Sequence, residues 1–398
     1  MLIALTPDDE QALIAFLRDL VQIPSLSGQE GQLAARLAEE MRQVGFHNVW
    51  VDRIGNVVGQ VNHGSGPLAV YNGHMDTVGI GDQAAWTRTP FGAEIQNGRL
   101  YGRGSSDMKA SLAAMVYGAK VLLDSGLAGR LGGTLYIVGV VQEEPTEGMA
   151  MRVLVEEEGL RPDFVLLGEP TGLQICRGHR GRIELEVTVH GRSCHASAPQ
   201  RGENAIYAAA KLIFGVELLA PQLLADTTLG QGSVAVTQIE SVAGSRNMIP
   251  DRCTFILDRR LTLGETESRA LYEIQQIISR EQVQADVQVT KYETTSYTGY
   301  VCRGREFYPA WLLPEDHPLL RAVSRGVETA LGFRPQVRTW AFSTDGVYTM
   351  GEAGIPTVGF GPGEEQQAHT ADESVSLYDV IRAASAYAHI AAEVLKSR

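Results

Sequence analysis

His74, Asp76, Asp107, Glu143, Glu144, Glu169 and His369 carry the side chains of this sequence that could hold metal and break a bond. Leu68-Ala69-Val70-Tyr71 reads as a short buried strand, and Asn72-Gly73-His74-Met75-Asp76 as the point where it gives way to a loop. In open α/β sheets that edge is where ligands bind. A metal-ligating histidine usually gives its second ring N–H to a carboxylate, so His74 is read as a ligand and Asp76 as its orienting partner. Glu143-Glu144 ends an apolar strand over 134–141, and Glu169 follows another over 164–167. Asp107 stands before a helix, as an N-cap, a metal bridge or both. Carboxylates converging on one edge repel each other, and a cation relieves the repulsion. Histidines mixed with carboxylates suit zinc, cobalt or manganese rather than calcium. Neighbours on an extended segment point to opposite sides. One of Glu143 and Glu144 can therefore bind metal while the other takes a proton from the water that the metal activates.

The elements that must position these groups follow from the pattern. Thr6-Pro7 with Asp8, Asp9 and Glu10 starts a helix carrying Leu13, Phe16, Leu17, Leu20 and Val21 at helical spacing, and Pro24 stops it. A second helix holds Leu33, Leu37, Met41 and Val44, with Gly45 as its C-cap. Strands and helices then alternate to about Glu169, which predicts a mostly parallel sheet with helices on both faces. From Arg182 to Val189 the texture changes. Ile183, Leu185, Val187 and Val189 alternate with Arg182, Glu184, Glu186 and Thr188, a half-exposed strand. The order β-α-β-β-α-β over 180–297 predicts an inserted ferredoxin-like α+β unit. Residues 1–179 and 298–398 then form one discontinuous domain, closed by a helix over 376–395.

Composition narrows the function. The net charge of −13 argues against nucleic acid as the main partner. Cys176, Cys194, Cys253 and Cys302 form no CxxC pair and fit a reducing compartment. Residues 1–8 lack the charged and apolar regions of a signal peptide, and no run of about 18 apolar residues predicts a membrane span. A cytoplasmic enzyme is the expectation.

Gly73-His74-Met75-Asp76-Thr77-Val78, Gly102-Arg103-Gly104-Ser105-Ser106-Asp107-Met108-Lys109, Gln142-Glu143-Glu144, Gly168-Glu169-Pro170-Thr171 and Ala368-His369-Thr370 together resemble the M20 family of metallopeptidases and amidohydrolases. That family includes acetylornithine deacetylase, succinyl-diaminopimelate desuccinylase, aminoacylases and glutamate carboxypeptidase. The motifs occur in the family's order and span nearly the whole chain. The resemblance implies a zinc-peptidase-like catalytic domain with two divalent ions, usually zinc, with cobalt or manganese able to substitute. His74, Asp107 and Glu169 would hold one ion. Asp107, Glu144 and His369 would hold the other, with Asp107 bridging. Glu143 would be the general base and later the proton donor to the leaving amine, and Asp76 would orient His74.

The inserted unit would be a lid that also forms a homodimer. Gly191-Arg192-Ser193-Cys194-His195-Ala196-Ser197-Ala198-Pro199 resembles the lid motif whose histidine reaches the partner subunit's site, which makes His195 an oxyanion donor. Asn247 resembles a second lid residue that contacts substrate. Arg180 and Arg260 are candidates to clamp a substrate carboxylate. The implied activity is amide hydrolysis of a small carboxylate-bearing substrate, by an N-acyl amino acid deacylase or a short-peptide carboxypeptidase or dipeptidase. An N-carbamoyl amino acid amidohydrolase on the same scaffold and a catalytically retired binding protein are the rival readings. Gly178-His179-Arg180-Gly181 departs from the deacetylase and desuccinylase signatures, which leaves the substrate open rather than the chemistry.

Overall fold

A computed structural model describes residues 4–396; residues 1–3, on which part of the signal-peptide reading falls, lie outside them. The first helix, Pro7–Gln22, starts as its sequence dictates. The Thr6 hydroxyl accepts from Asp9 N and Asp9 reaches back to Thr6 N, a capping box closed by proline at the first turn. Leu13, Phe16, Leu17, Leu20 and Val21 are its buried face. Ala110–Asp124 is buried almost all round, and its run of small residues lets it lie close against the closing helix Leu377–Val394.

The main sheet orders its strands Asn48–Val51, Val57–Gln60, Thr134–Val140, Leu68–His74, Phe164–Leu167, Thr357–Gly359, Ile175–His179, Trp311–Leu312, with Val337–Trp340 also on Ile175–His179. The expectation of a mostly parallel sheet needs correction. The four strands from Thr134–Val140 to Thr357–Gly359 run parallel, whereas Val57–Gln60 pairs antiparallel on one side and Ile175–His179 antiparallel on the other. The sheet is mixed, and its parallel centre is what matters for chemistry. It sends the ends of Leu68–His74, Thr134–Val140, Phe164–Leu167 and Thr357–Gly359 to one edge.

A second sheet is antiparallel throughout: Ser233–Val242, Arg252–Leu261, Gly181–His190 and Ala285–Val289, with Phe307–Tyr308 also on Gly181–His190. Ile183, Leu185, Val187 and Val189 point into its own hydrophobic cluster with Phe255, Leu257, Leu212 and Ile274, separate from the large core. The division expected at 297/298 falls in the turn of a hairpin, Lys291–Thr295 with Val301–Arg305. One stretch, Ala205–Gln222, is long and apolar enough to cross a membrane by length and composition, although Lys211 and Glu217 interrupt its apolar run. It lies between two strands of the small sheet, and Ala205, Ala209, Leu212 and Val216 pack on that sheet. Its outer face leaves Ile206, Tyr207, Phe214 and Leu218 exposed.

The two sheets join at His179, which is wholly buried. Its Nδ1–H donates to the Arg180 carbonyl at 2.8 Å. Nε2 accepts from Trp311 Nε1 at 2.7 Å and Thr344 N at 3.0 Å, with the Thr344 hydroxyl at 2.9 Å. A proton on Nε2 would face these donors, and burial lowers the histidine to about 4. The ordinary histidine value is near 6.5, so the unfolded chain binds a proton that the folded chain refuses in the window between. This stability is full above pH 6.5 and is lost as pH falls. We expect His179 alone to withdraw about 2 kcal/mol between pH 7 and pH 5, against buried carboxyls such as Asp76 and Asp52 whose raised proton affinity works the other way. Urea unfolding of wild type and His179→Gln at both pH values checks this: the stability difference between the two proteins should shift by about 2 kcal/mol in the variant's favour from pH 7 to pH 5.

Candidate metal centre

His74 closes the strand Leu68–His74, and its Nε2 lies 2.9 Å from Asp107 Oδ1. His369, on a left-handed backbone at φ 60°, brings Nε2 to 3.4 Å from Asp107 Oδ2 and 3.0 Å from Glu144 Oε2. The Asp107 carboxylate thus presents one oxygen to each histidine. Ligand atoms of His74, Glu143 and Glu169 lie within 4.8 Å of one another, as do those of His74, Asp107 and Glu144. Asp107, Glu143, Glu144, Glu169 and His369 line a cavity of about 420 Å³ together with Glu147, Arg182, Arg260, Phe342 and Ser343, and His74 is buried behind Asp107.

Asp107 is not a helix N-cap; the helix begins after Lys109, and Asp107 is extended at φ −122°, ψ 95°. Its loop is fixed by Glu373, which sequence reasoning missed. That fully buried carboxylate accepts from Gly104 N, Ser106 N and Asp107 N at 2.8–3.0 Å and pairs with Arg103 at 2.7 Å. Only its place four residues after His369 hinted at it.

Asp76 acts differently from the expectation. His74 Nδ1–H donates to the Asp76 carbonyl at 2.9 Å, while the carboxylate is 3.7 Å away. The carboxylate accepts instead from Glu143 N at 3.1 Å, Glu144 N at 3.2 Å and the Ser27 hydroxyl at 2.7 Å. Asp76 therefore positions both the histidine and the paired glutamates. Those glutamates do not face opposite ways on an extended strand. The backbone turns after Gln142, with Thr146 N bonded to Glu143 O, so both side chains reach the same cavity.

Of the proposed clamp, Arg260 lines the cavity, held by Asp258 at 2.9 and 3.2 Å. Arg180 lies outside it and donates to the Gln231 carbonyl. The cavity's second cation is Arg182, bound to Glu306 at 3.0 Å and Glu147 at 3.4 Å and stacked on Tyr308. Alternation puts Arg182 on a solvated face; Glu147, which follows the main-sheet strand Thr134–Val140, covers it. His195 is exposed and accepts from Ser197, and neither it nor Asn247 lines this cavity.

The electrostatics call for cations. Burial and the Glu169 charge push Glu143 well above the carboxyl range, and burial and Asp107 do the same to Glu169. Burial opposes charge on His74, yet Asp107 and Glu169 hold it well above its ordinary value. Asp107 and Glu144 push His369 up to about 10. Burial would raise Asp107, but His369 and His74 hold it below its ordinary value. Protons balance this cluster of acids, and a divalent cation can take their place. Among the described residues, Glu143 Oε1 is buried without a hydrogen-bond partner. The donor set and the orphaned oxygen fit a divalent metal of the zinc, cobalt or manganese type.

Such a cluster at the carboxyl edge of a parallel sheet defines a metal-dependent hydrolase. The chain belongs to peptidase family M20/M25/M40, whose family model matches residues 70–393. It is 39% identical over 383 residues to the uncharacterised protein YgeY of Escherichia coli K12, covering 96% of this chain and 94% of that one. It is 30% identical over 393 residues to succinyl-diaminopimelate desuccinylase 2 of Ruegeria, covering 94% and 92%. The fold is similar to that of Bacillus subtilis YXEP, a dinuclear metal binding peptidase of the M20 family, with a TM-score of 0.72, 17% identity and 98% and 99% coverage.

Proposed function

We propose that this enzyme cleaves an amide bond in a small carboxylate-bearing substrate, an N-acyl amino acid or a short peptide, with two divalent ions. The observation that carries the reading is Asp107 set between His74 and His369, one oxygen toward each. His74, Asp107 and Glu169 would hold one ion, and Asp107, Glu144 and His369 the other. Bound there, the ions would supply carbonyl polarisation and a more acidic water. Glu143, buried and held with a raised proton affinity, takes the proton of the attacking water and returns it to the leaving amine. Arg260 and Arg182, the cations of the cavity, meet the substrate carboxylate.

The test is a panel of N-acetyl, N-succinyl and N-carbamoyl amino acids and dipeptides, each with a free and an amidated carboxyl. We expect turnover of free-carboxyl N-acyl or dipeptide substrates only, with KM raised about tenfold or more in Arg260→Ala, as for a lost charge-assisted bond. Equal use of the amidated forms would sink the substrate class, and use of N-carbamoyl compounds alone would replace the deacylase reading.

We further propose a two-fold homodimer. Ile206, Tyr207, Phe214 and Leu218 lie exposed on the helix Ala205–Leu219, and Ile239 and Val242 on the unpaired edge of Ser233–Val242. In that arrangement His195 and Asn247 serve the neighbouring copy's cavity. Sedimentation at the mass of one chain would refute it.

A further inference from the structure

We infer that the hairpin Lys291–Arg305 is a strap tying the small sheet to the floor of the metal site, with Tyr297 as its positioning residue. The hairpin is rooted in the small sheet. Thr290 N donates to Glu184 O at 3.1 Å, and Glu306 joins Thr290 O and Glu184 N at 2.9 Å each. Its tip is buried elsewhere. Cys302 belongs to the large core, and Tyr292, Tyr297 and Tyr300 pack against it. Tyr297 donates to Gly55 O at 2.9 Å and Thr298 to Arg53 O at 2.8 Å.

The Tyr297 ring fills a slot made by two missing side chains. A Cβ on Gly55 would sit 2.5 Å from the ring, and one on Gly31 3.0 Å from it. Beside them, Thr295 O covers Gly28. The segment under the tip is the one that holds the catalytic turn. Glu30 accepts from Gly28 N at 2.9 Å and Gln142 N at 3.1 Å, and Ser27 donates to the Asp76 carboxylate. Gln142 sits at φ 53°, left-handed for a non-glycine residue, and its buried side-chain amide has no partner among the described residues. Such a backbone persists only where its surroundings over-determine it. Here the surroundings are Glu30, and behind Glu30 the strap.

The consequence is mechanical. The small sheet cannot shift without pulling on the Gly28–Gly31 segment, and through Ser27 and Glu30 on Asp76 and the amides of Gln142, Glu143 and Glu144. The inference rests on the assignment of Asp76 and Glu143 to the metal site, so its test uses zinc alone, without turnover. In zinc-loaded Tyr297→Ala we expect the peptide over 141–146 to exchange its amide hydrogens about tenfold faster. Zinc should pass to a chelator about tenfold faster, as for other groups behind metal ligands. The strand Thr134–Val140 should keep its protection, and Tyr297→Phe, which retains the ring, should restore both rates.

Gly31→Ala, whose Cβ would press on the ring at 3.0 Å, serves as the second variant and should accelerate both rates in the same direction, by a smaller factor, if Tyr297→Ala does not fold. Unchanged exchange and zinc release, or equal acceleration in Thr134–Val140, would overturn the strap. Wild-type protein that binds no zinc would overturn the assignment of the site instead, and the exchange rates would still decide the strap.

Discussion

Glu143→Gln is expected to leave a folded, zinc-loaded protein whose kcat falls by about 10²-fold or more, the scale of a lost general base. Glutamine keeps the size and the backbone N–H that bonds Asp76, so His74, Asp107 and Glu144 stay in place. What disappears is the one buried carboxyl oxygen in the cavity without a hydrogen-bond partner among the described residues. Burial and Glu169 give that carboxyl its raised proton affinity, which suits a group that takes a proton and later returns it. KM should move little, because in the proposed mechanism Glu143 handles protons rather than holding substrate. Zinc content measured beside kcat separates this outcome from loss of metal. Retained turnover with retained zinc would remove Glu143 from the chemistry.

Asp107→Ala is expected to lose both ions, where His369→Ala loses one. The difference follows from geometry. Asp107 Oδ1 is 2.9 Å from His74 and Oδ2 3.4 Å from His369, so removing one carboxylate strips a ligand from each side. The loop itself survives, since Glu373 grips the backbone of Gly104, Ser106 and Asp107 and not the Asp107 side chain. Zinc per chain after dialysis should fall from two to below one in Asp107→Ala and to about one in His369→Ala. Equal losses in the two variants would break the bridging assignment.

The site was legible in the sequence because its signals are local. An apolar run ending in His74, in Glu143-Glu144 or in Glu169 announces a strand end, and parallel strands bring their ends together. The sheet's flanks were not legible in the same way. Val57–Gln60 pairs antiparallel with Thr134–Val140, far along the chain, and a short apolar strand carries no mark of its partner's direction. Arg182 was misplaced because alternation reports only two faces of a strand, and the face read as solvated meets Glu147, which follows the main-sheet strand Thr134–Val140. The bond from His74 to the Asp76 carbonyl has no sequence signal, since every residue has a carbonyl. Glu373 and the strap were missed for a related reason. Apart from Arg103, their partners are mainly backbone groups and glycines, which residue types at a distance do not reveal.

The most direct measurement is anomalous diffraction at the zinc edge from crystals of the zinc-loaded protein. Two peaks are expected, one among His74, Asp107 and Glu169 and the other among Asp107, Glu144 and His369, with Glu143 facing the space between them. A single peak, or zinc bound away from Asp107, would contradict the two-ion hydrolase.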